Sequence, residues 1–157
     1  MHDEFFMNAA LKEAERAFHE GEVPVGAVLV CDGKIIAKGH NLVESLQDAT
    51  AHAEMLCLKQ GARILNNWRL NGSTLYCTLE PCSMCAGAMI LSRVSTIVWG
   101  APDLRHGADG SWIELLQSEH PIHRIEVRRG VLREESAALL TEFFRLKRIA
   151  NKQTIPK

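Results

Sequence analysis

Two short stretches carry residues that could hold a metal ion and move protons. In "TLEPCSMCAGAMI" (78–90), Cys82 and Cys85 stand three apart behind Pro81. Proline suits the first turn of a helix, so both cysteines fall at a helix start, where residues i and i+3 share a face. A helix N-terminus favours negative charge and lowers thiol pKa values, which makes two thiolates there good ligands. The same spacing also fits a redox pair or two core cysteines. In "DATAHAEMLCLKQ" (48–60), His52 and Glu54 stand two apart ahead of an apolar run. In mid-helix such a pair diverges by about 200°. The two converge only where the chain enters the helix, and the polar "DAT" fits such an entry.

Taken together, one imidazole and two thiolates make a three-ligand zinc site with the fourth place open, which is the catalytic arrangement. Zinc brings the pKa of a bound water from about 15.7 to about 7. Glu54 then reads as a proton carrier beside that water, in a pocket whose poor solvation raises its pKa. A redox pair would leave His52 and Glu54 without a role, and a zinc-stabilised RNA-binding module would use a fourth protein ligand. Cys31, Cys57 and Cys77 read as small buried hydrophobes.

The elements that must position these groups follow from periodicity and turn chemistry. Phe6, Ala10, Leu11, Ala14, Ala17 and Phe18 recur at helical spacing, so residues 3 to 20 read as a helix that Gly21 ends. "GAVLV" (26–30) and "KIIAKG" (34–39) flank Asp32-Gly33, which predicts a β-hairpin with a type I′ turn. Residues 42 to 50 are polar and irregular and read as a loop. Helical spacing returns over 52 to 66, alternation over 73 to 79, and helical spacing again over 82 to 92. Residues 94 to 101 and 123 to 130 read as strands. Between them, "WIELL" has the spacing for a helical turn. Residues 133 to 152 read as a helix with Ala137, Leu140, Phe144 and Ile149 as its apolar stripe. Helices alternating with strands after a hairpin predict a layered α/β fold with a mixed sheet. The two metal-binding stretches then fall at strand-to-helix junctions along one rim of the sheet, where sites form.

The bulk numbers fit this reading. A chain of 157 residues points to one domain over 1–157. It is 46% apolar and 24% charged with a net charge of -1, so no global basic field points to nucleic acid. A local patch remains open. Five cysteines, an odd number in a chain this long, do not form a disulfide framework. The acidic, amphipathic start is not a signal peptide, and no apolar run approaches the length of a membrane span. The expectation is a cytoplasmic protein.

His-Ala-Glu followed by Pro-Cys-x-x-Cys is the established signature of the zinc nucleoside and nucleobase deaminases. With "GEVPVGAVLV", "TAHAEMLCL", "TLEPCSMCAGAMILSR", "VWGAPD" and "LLTEFFRLKR", the chain resembles the bacterial tRNA-specific adenosine deaminases over nearly its whole length. That resemblance implies a cytidine-deaminase-like three-layer α/β/α sandwich around a mixed five-stranded sheet, usually as a homodimer with one Zn²⁺ per subunit. It implies hydrolytic deamination of adenosine to inosine at the wobble position of a tRNA anticodon, with an anticodon stem-loop as partner and ammonia as product. His52, Cys82 and Cys85 match the zinc ligands and Glu54 the proton shuttle. Asn41 and the backbone N–H of Ala53 match groups that face the base, and Asp103 a position near the anticodon nucleotides. The chain departs from the family at Pro102, where a basic residue is the expectation, and this bears on the path of the substrate loop. Arg145, Lys147, Arg148, Lys152 and Lys157 follow Glu142 with no further acid. They read as contacts to the RNA backbone, with Arg145, Lys147 and Arg148 the nearest to the "FFRLKR" block. The nearest rival is a free-base or nucleotide deaminase such as a guanine deaminase, against which that basic block weighs.

Overall fold

A computed structural model describes residues 2–154, so Lys157 lies outside the described residues. The chain runs α1 (His2–His19), β1 (Gly26–Cys31), β2 (Lys34–His40), α2 (Val43–Leu46), α3 (Ala53–Leu65), β3 (Thr74–Leu79), α4 (Ser83–Leu91), β4 (Thr96–Ala101), β5 (Glu126–Arg129) and α5 (Arg133–Thr154). The strands form one sheet in the order β2-β1-β3-β4-β5. The β1–β2 and β1–β3 pairs are antiparallel, and β3–β4 and β4–β5 are parallel. The hairpin turn has φ of 49° at Asp32 and 74° at Gly33. Positive φ at both central residues is what a type I′ turn requires, and Asp-Gly supplies it at little steric cost.

The period of two along each strand divides the core between the two faces. Val28 and Val30 of β1, Tyr76 of β3 and Val98 of β4 face Met7 and Ala10 of α1. Their neighbours Ala27, Leu29, Leu75, Cys77, Ile97 and Trp99 face Ala53, Cys57 and Leu58 of α3 and Cys85, Ala86 and Met89 of α4. Helix α5 joins the α1 side, where Phe143 meets Phe18 edge-on at 5.9 Å between ring centroids. The result is the three-layer sandwich with a mixed five-stranded sheet.

Four local expectations are corrected. The stretch 42–50 is not wholly loop, because Val43–Leu46 makes one helical turn. "WIELL" forms no helix: Asp109 bridges Glu114, and turns of the 102–116 loop carry the chain past it. The buried aromatic on α5 is Phe143, while Phe144 and Ile149 are 45% and 43% exposed. Cys31 is only half-buried at its strand end, unlike Cys57 and Cys77.

Parallel β3 and β4 end side by side at Leu79 and Ala101. Helices α3 and α4 pack together on one face. Their starts at Ala53 and Ser83 bring two helix N-termini to the same rim. Among the described residues, no helix is long and apolar enough to cross a membrane.

Candidate active site

The residues at the two helix starts are unusual as caps. His52 is the N-cap of α3 with φ -74° and ψ 150°, and Cys82 is the N-cap of α4 with φ -75° and ψ 174°. An N-cap side chain ordinarily bends back to bond the first free N–H groups of its helix. Neither of these does; both side chains point across the rim at each other. The Nδ1 of His52 lies 3.6 Å from the Sγ of Cys82 and 3.6 Å from the Sγ of Cys85. The three ligand atoms all lie within 4.8 Å of one another.

This donor set fits zinc. A tetrahedral ion at about 2.3 Å from sulfur and about 2.05 Å from nitrogen holds such atoms about 3.6 Å apart. Softness agrees as well, since thiolate and imidazole ligands suit zinc and carboxylate-rich sets suit harder ions. Among the described residues, this is the one cluster of three or more His, Cys, Asp or Glu that could hold a metal.

The three ligand groups shift one another's acidity. Cys82 is held well below the usual thiol range, chiefly by a hydrogen bond from Cys85, with His52 assisting and burial opposing. Cys85 is pushed up in turn by that bond, by burial and by the negative charge of Glu54. His52 is raised, first by its bond to Cys82 and against its own burial. Cys57 and Cys77, buried in apolar surroundings, are pushed up far enough to stay protonated.

Glu54, in the first turn of α3, is 4% exposed. Burial pushes its carboxyl up, while its own backbone N–H, the charge of His52 and a bond from Cys85 pull the other way. It therefore stands against the same cluster. Ala53, between His52 and Glu54, is fully buried. Asn41 lies just past β2, where the N–H of Leu42 donates to the carbonyl of Ala51 at 3.0 Å and ties that segment to the start of α3. The Oδ1 of Asn41 accepts from Val43 N–H at 3.1 Å. Asp103 follows β4 and its negative charge reaches His52. Pro102 precedes it without breaking the loop's hold on the sheet, because the Asp103 N–H donates to Glu80 Oε1 at 3.1 Å. Arg145, Lys147 and Arg148 lie exposed on α5, outside the cluster. The Arg145 guanidinium is forked onto Glu142, at 2.9 and 2.6 Å.

Sequence reasoning missed four buried carboxylates, Glu13, Glu22, Glu80 and Asp109, of which two tie loops together. Glu22 is 1% exposed and caps α2, and Glu80, also 1% exposed, gathers the loop after β4. Their partners lie 22 to 31 positions away, so no local spacing reveals them. The one sequence signal was the position of Glu80, a charge between an apolar strand and Pro81.

Residues 1–101 match the model of the cytidine and deoxycytidylate deaminase zinc-binding region. The chain belongs to this deaminase family. Within it, the tRNA-specific adenosine deaminase of Bacillus subtilis is 53% identical over 143 residues, which is 91% of this chain and 89% of that protein. The chloroplastic tRNA(adenine(34)) deaminase of Arabidopsis thaliana is 54% identical over 161 residues, covering 92% of this chain but only 12% of that much longer protein. A solved structure from work on A-to-I editing by tRNA:A34 deaminases at the wobble position superposes with a TM-score of 0.83 at 41% identity. It covers 87% of this chain and 99% of that one. The deaminase family's zinc-binding region contains His52 and both thiols of the cluster.

Proposed function

We propose that this chain is a zinc-dependent hydrolase that deaminates adenosine to inosine at the wobble position of a tRNA anticodon and releases ammonia. The observation that carries the reading is the meeting of His52, Cys82 and Cys85 at two helix starts with the buried carboxyl of Glu54 against them. The naming of the bacterial and chloroplast relatives supports the choice of substrate.

In this reading His52, Cys82 and Cys85 hold the zinc, and three protein ligands leave a place for solvent. When bound, the metal supplies an acidified water and charge stabilisation for the oxygen that adds to the base. Glu54 does the proton work. It takes the first proton from the attacking water and delivers it to ring N1 as oxygen adds at C6, then takes the second from the new C6 hydroxyl group and delivers it to the leaving amine. Water is consumed, ammonia departs and inosine remains. The N-termini of α3 and α4 direct their positive ends at the developing charge. The side chain of Asn41 and the N–H of Ala53 orient the base, and Asp103 lines the wall beside its neighbours.

An anticodon loop is already single-stranded, so its base enters the pocket at low unstacking cost. Lys147 and Arg148, with Arg145 behind them, neutralise phosphates. The chain acts as a homodimer in this reading; Trp68, past the end of α3, and Leu91, at the end of α4, are 54% and 65% exposed and offer apolar surface for a second copy. One sheet with α1, α3, α4 and α5 packed on it supports a single domain over 1–157. Free thiols and an RNA substrate support a cytoplasmic site of action.

The test offers purified zinc-loaded protein an anticodon stem-loop with adenosine at the wobble position, free adenosine and guanine in parallel, and measures ammonia. Release from the stem-loop alone is the expected result. Release from guanine or free adenosine at equal or greater rate contradicts the substrate assignment.

A further inference from the structure

The loop after β4 lacks regular secondary structure, yet residues 107, 108 and 109 of it are buried. A loop of this kind must satisfy its buried N–H groups, and one side chain does much of this. The carboxylate of Glu80 accepts from Asp103 N–H at 3.1 Å and Ser111 Oγ–H on Oε1, and from Asp109 N–H at 2.9 Å and Ser111 N–H at 3.3 Å on Oε2. A Cβ at Gly107 would fall within 2.4 Å of that carboxyl group, so the loop closes around it without room for a side chain. Among the described residues no cation pairs with Glu80; Arg129, which Glu80's charge reaches, is forked onto Asp109. A buried carboxylate without a cation is costly unless hydrogen bonds satisfy it. The loop's conformation and the Glu80 carboxyl group therefore depend on each other through these hydrogen bonds.

Both ends of this arrangement reach the active site. Glu80 immediately precedes Pro81 and Cys82, while its first donor is the N–H of Asp103, whose charge reaches His52. Gly107 bridges to Cys82, and Ala108 N–H donates to the Pro81 carbonyl at 2.8 Å. Glu80, together with these two backbone ties, holds the ligand-bearing start of α4 against the wall formed by the Asp103 loop.

We infer that Glu80 is a positioning residue for substrate, holding the Asp103 loop as one wall of the pocket without touching the reacting base. This rests on the functional reading above. The variant Glu80→Gln keeps the shape but turns an NH₂ toward donors on one side or the other, so it cannot satisfy both halves of the loop. It is expected to keep one zinc per chain and a kcat within about threefold of wild type, while KM for the stem-loop rises about tenfold or more, the scale of one lost bond to a charged acceptor. Amide hydrogen exchange should speed up across 103–111 and stay unchanged in α1 and β1. Combined with Asp103→Ala, it should add less than about twofold to KM, because the two act as one unit. Ser111→Ala, which removes one donor and leaves the carboxylate, is the milder check should Glu80→Gln fail to fold; a KM raised about two- to fourfold is expected. Wild-type KM in either folded variant, or a KM increase that adds in full to that of Asp103→Ala, overturns the inference. Failure of wild-type protein to deaminate the stem-loop strikes the functional reading instead, and unchanged exchange at 103–111 in Glu80→Gln strikes this one alone.

Discussion

Gly39 of β2 lies directly against the first turn of α3: a Cβ added there would stand 2.6 Å from the carbonyl oxygen of Ala53 and 3.3 Å from the nitrogen of Cys57. The strand can approach the helix start this closely only because residue 39 has no side chain, and the approach sets where His52 stands. Gly39→Ala must push the start of α3 away. Overpacking of this kind costs about 1–3 kcal/mol, or a fall in Tm of roughly 3–10 °C for a chain of this size. Zinc affinity, read by competition with a chelator, should fall with it. Gly87→Ala is the control. Nothing lies within 4 Å of its added Cβ, and alanine favours a helix interior by about 0.5–1 kcal/mol, so zinc affinity should hold and Tm should not fall.

Zinc-loaded protein examined by X-ray absorption at the metal edge should show one nitrogen and two sulfur neighbours, with one light atom completing the shell. The 3.6 Å spacings of His52 to both thiols lead to that count. Cys57→Ala and Cys77→Ala should leave the spectrum unchanged. A third sulfur in the shell would show that one of these buried thiols is drawn in, contrary to their protonated, apolar setting.

Acid stability reports on Glu22. Its carboxylate accepts from Glu44 N–H at 2.9 Å, Ser45 N–H at 2.7 Å and Ser45 Oγ–H at 2.6 Å. Burial opposes ionisation, but these bonds outweigh it and hold the carboxyl below its ordinary value of 4.5. A folded pKa below the unfolded one means the stabilisation is fully present above the unfolded value and is lost as pH falls through the folded value. Glu22→Gln should therefore cost about 1–3 kcal/mol at neutral pH and shrink the loss of Tm between pH 5 and pH 3. An equal acid-induced loss in both proteins would assign the effect to other carboxylates.

Most of the fold was legible because its signals are local. Asp32-Gly33 announced its hairpin, and the alternation of Leu75, Tyr76 and Cys77 reports which side chains meet which layer. The zinc cluster was legible for a different reason: His52, Cys82 and Cys85 are rare residue types at helix starts, so their chemistry stands out without contacts. What stayed hidden depends on distant partners. The roles of Glu22 and Glu80 arise only when the chain brings donors from 22 to 31 positions away onto them. Phe143 and Phe144 are adjacent and alike, and only the placement of Phe18 on α1 decides which one is buried. The helical reading of "WIELL" failed because Asp109 and Glu80 draw that loop into turns that local spacing does not encode.

RNA affinity should depend unequally on the basic residues of α5. Arg145 is engaged by Glu142, whereas Arg148 is exposed without such a fork and Lys147 lies 5.6 Å from the Phe143 ring centroid. Replacing Lys147 and Arg148 together by alanine should weaken stem-loop binding and reduce the slope of log affinity against log salt by about 1.4, at about 0.7 per phosphate contact. Arg145→Ala should do less. Equal slopes for all three proteins would remove α5 from the binding surface.

The most direct measurement compares wild-type protein and Glu54→Ala, each verified at one zinc per chain, for inosine formation and ammonia release from the stem-loop under single-turnover conditions. Glu54→Ala should bind the RNA as tightly as wild type and lose at least about 10²- to 10⁴-fold in rate, the range of a lost general acid–base group. A zinc-replete Glu54→Ala protein that deaminates within a few-fold of wild type would contradict the account at its centre.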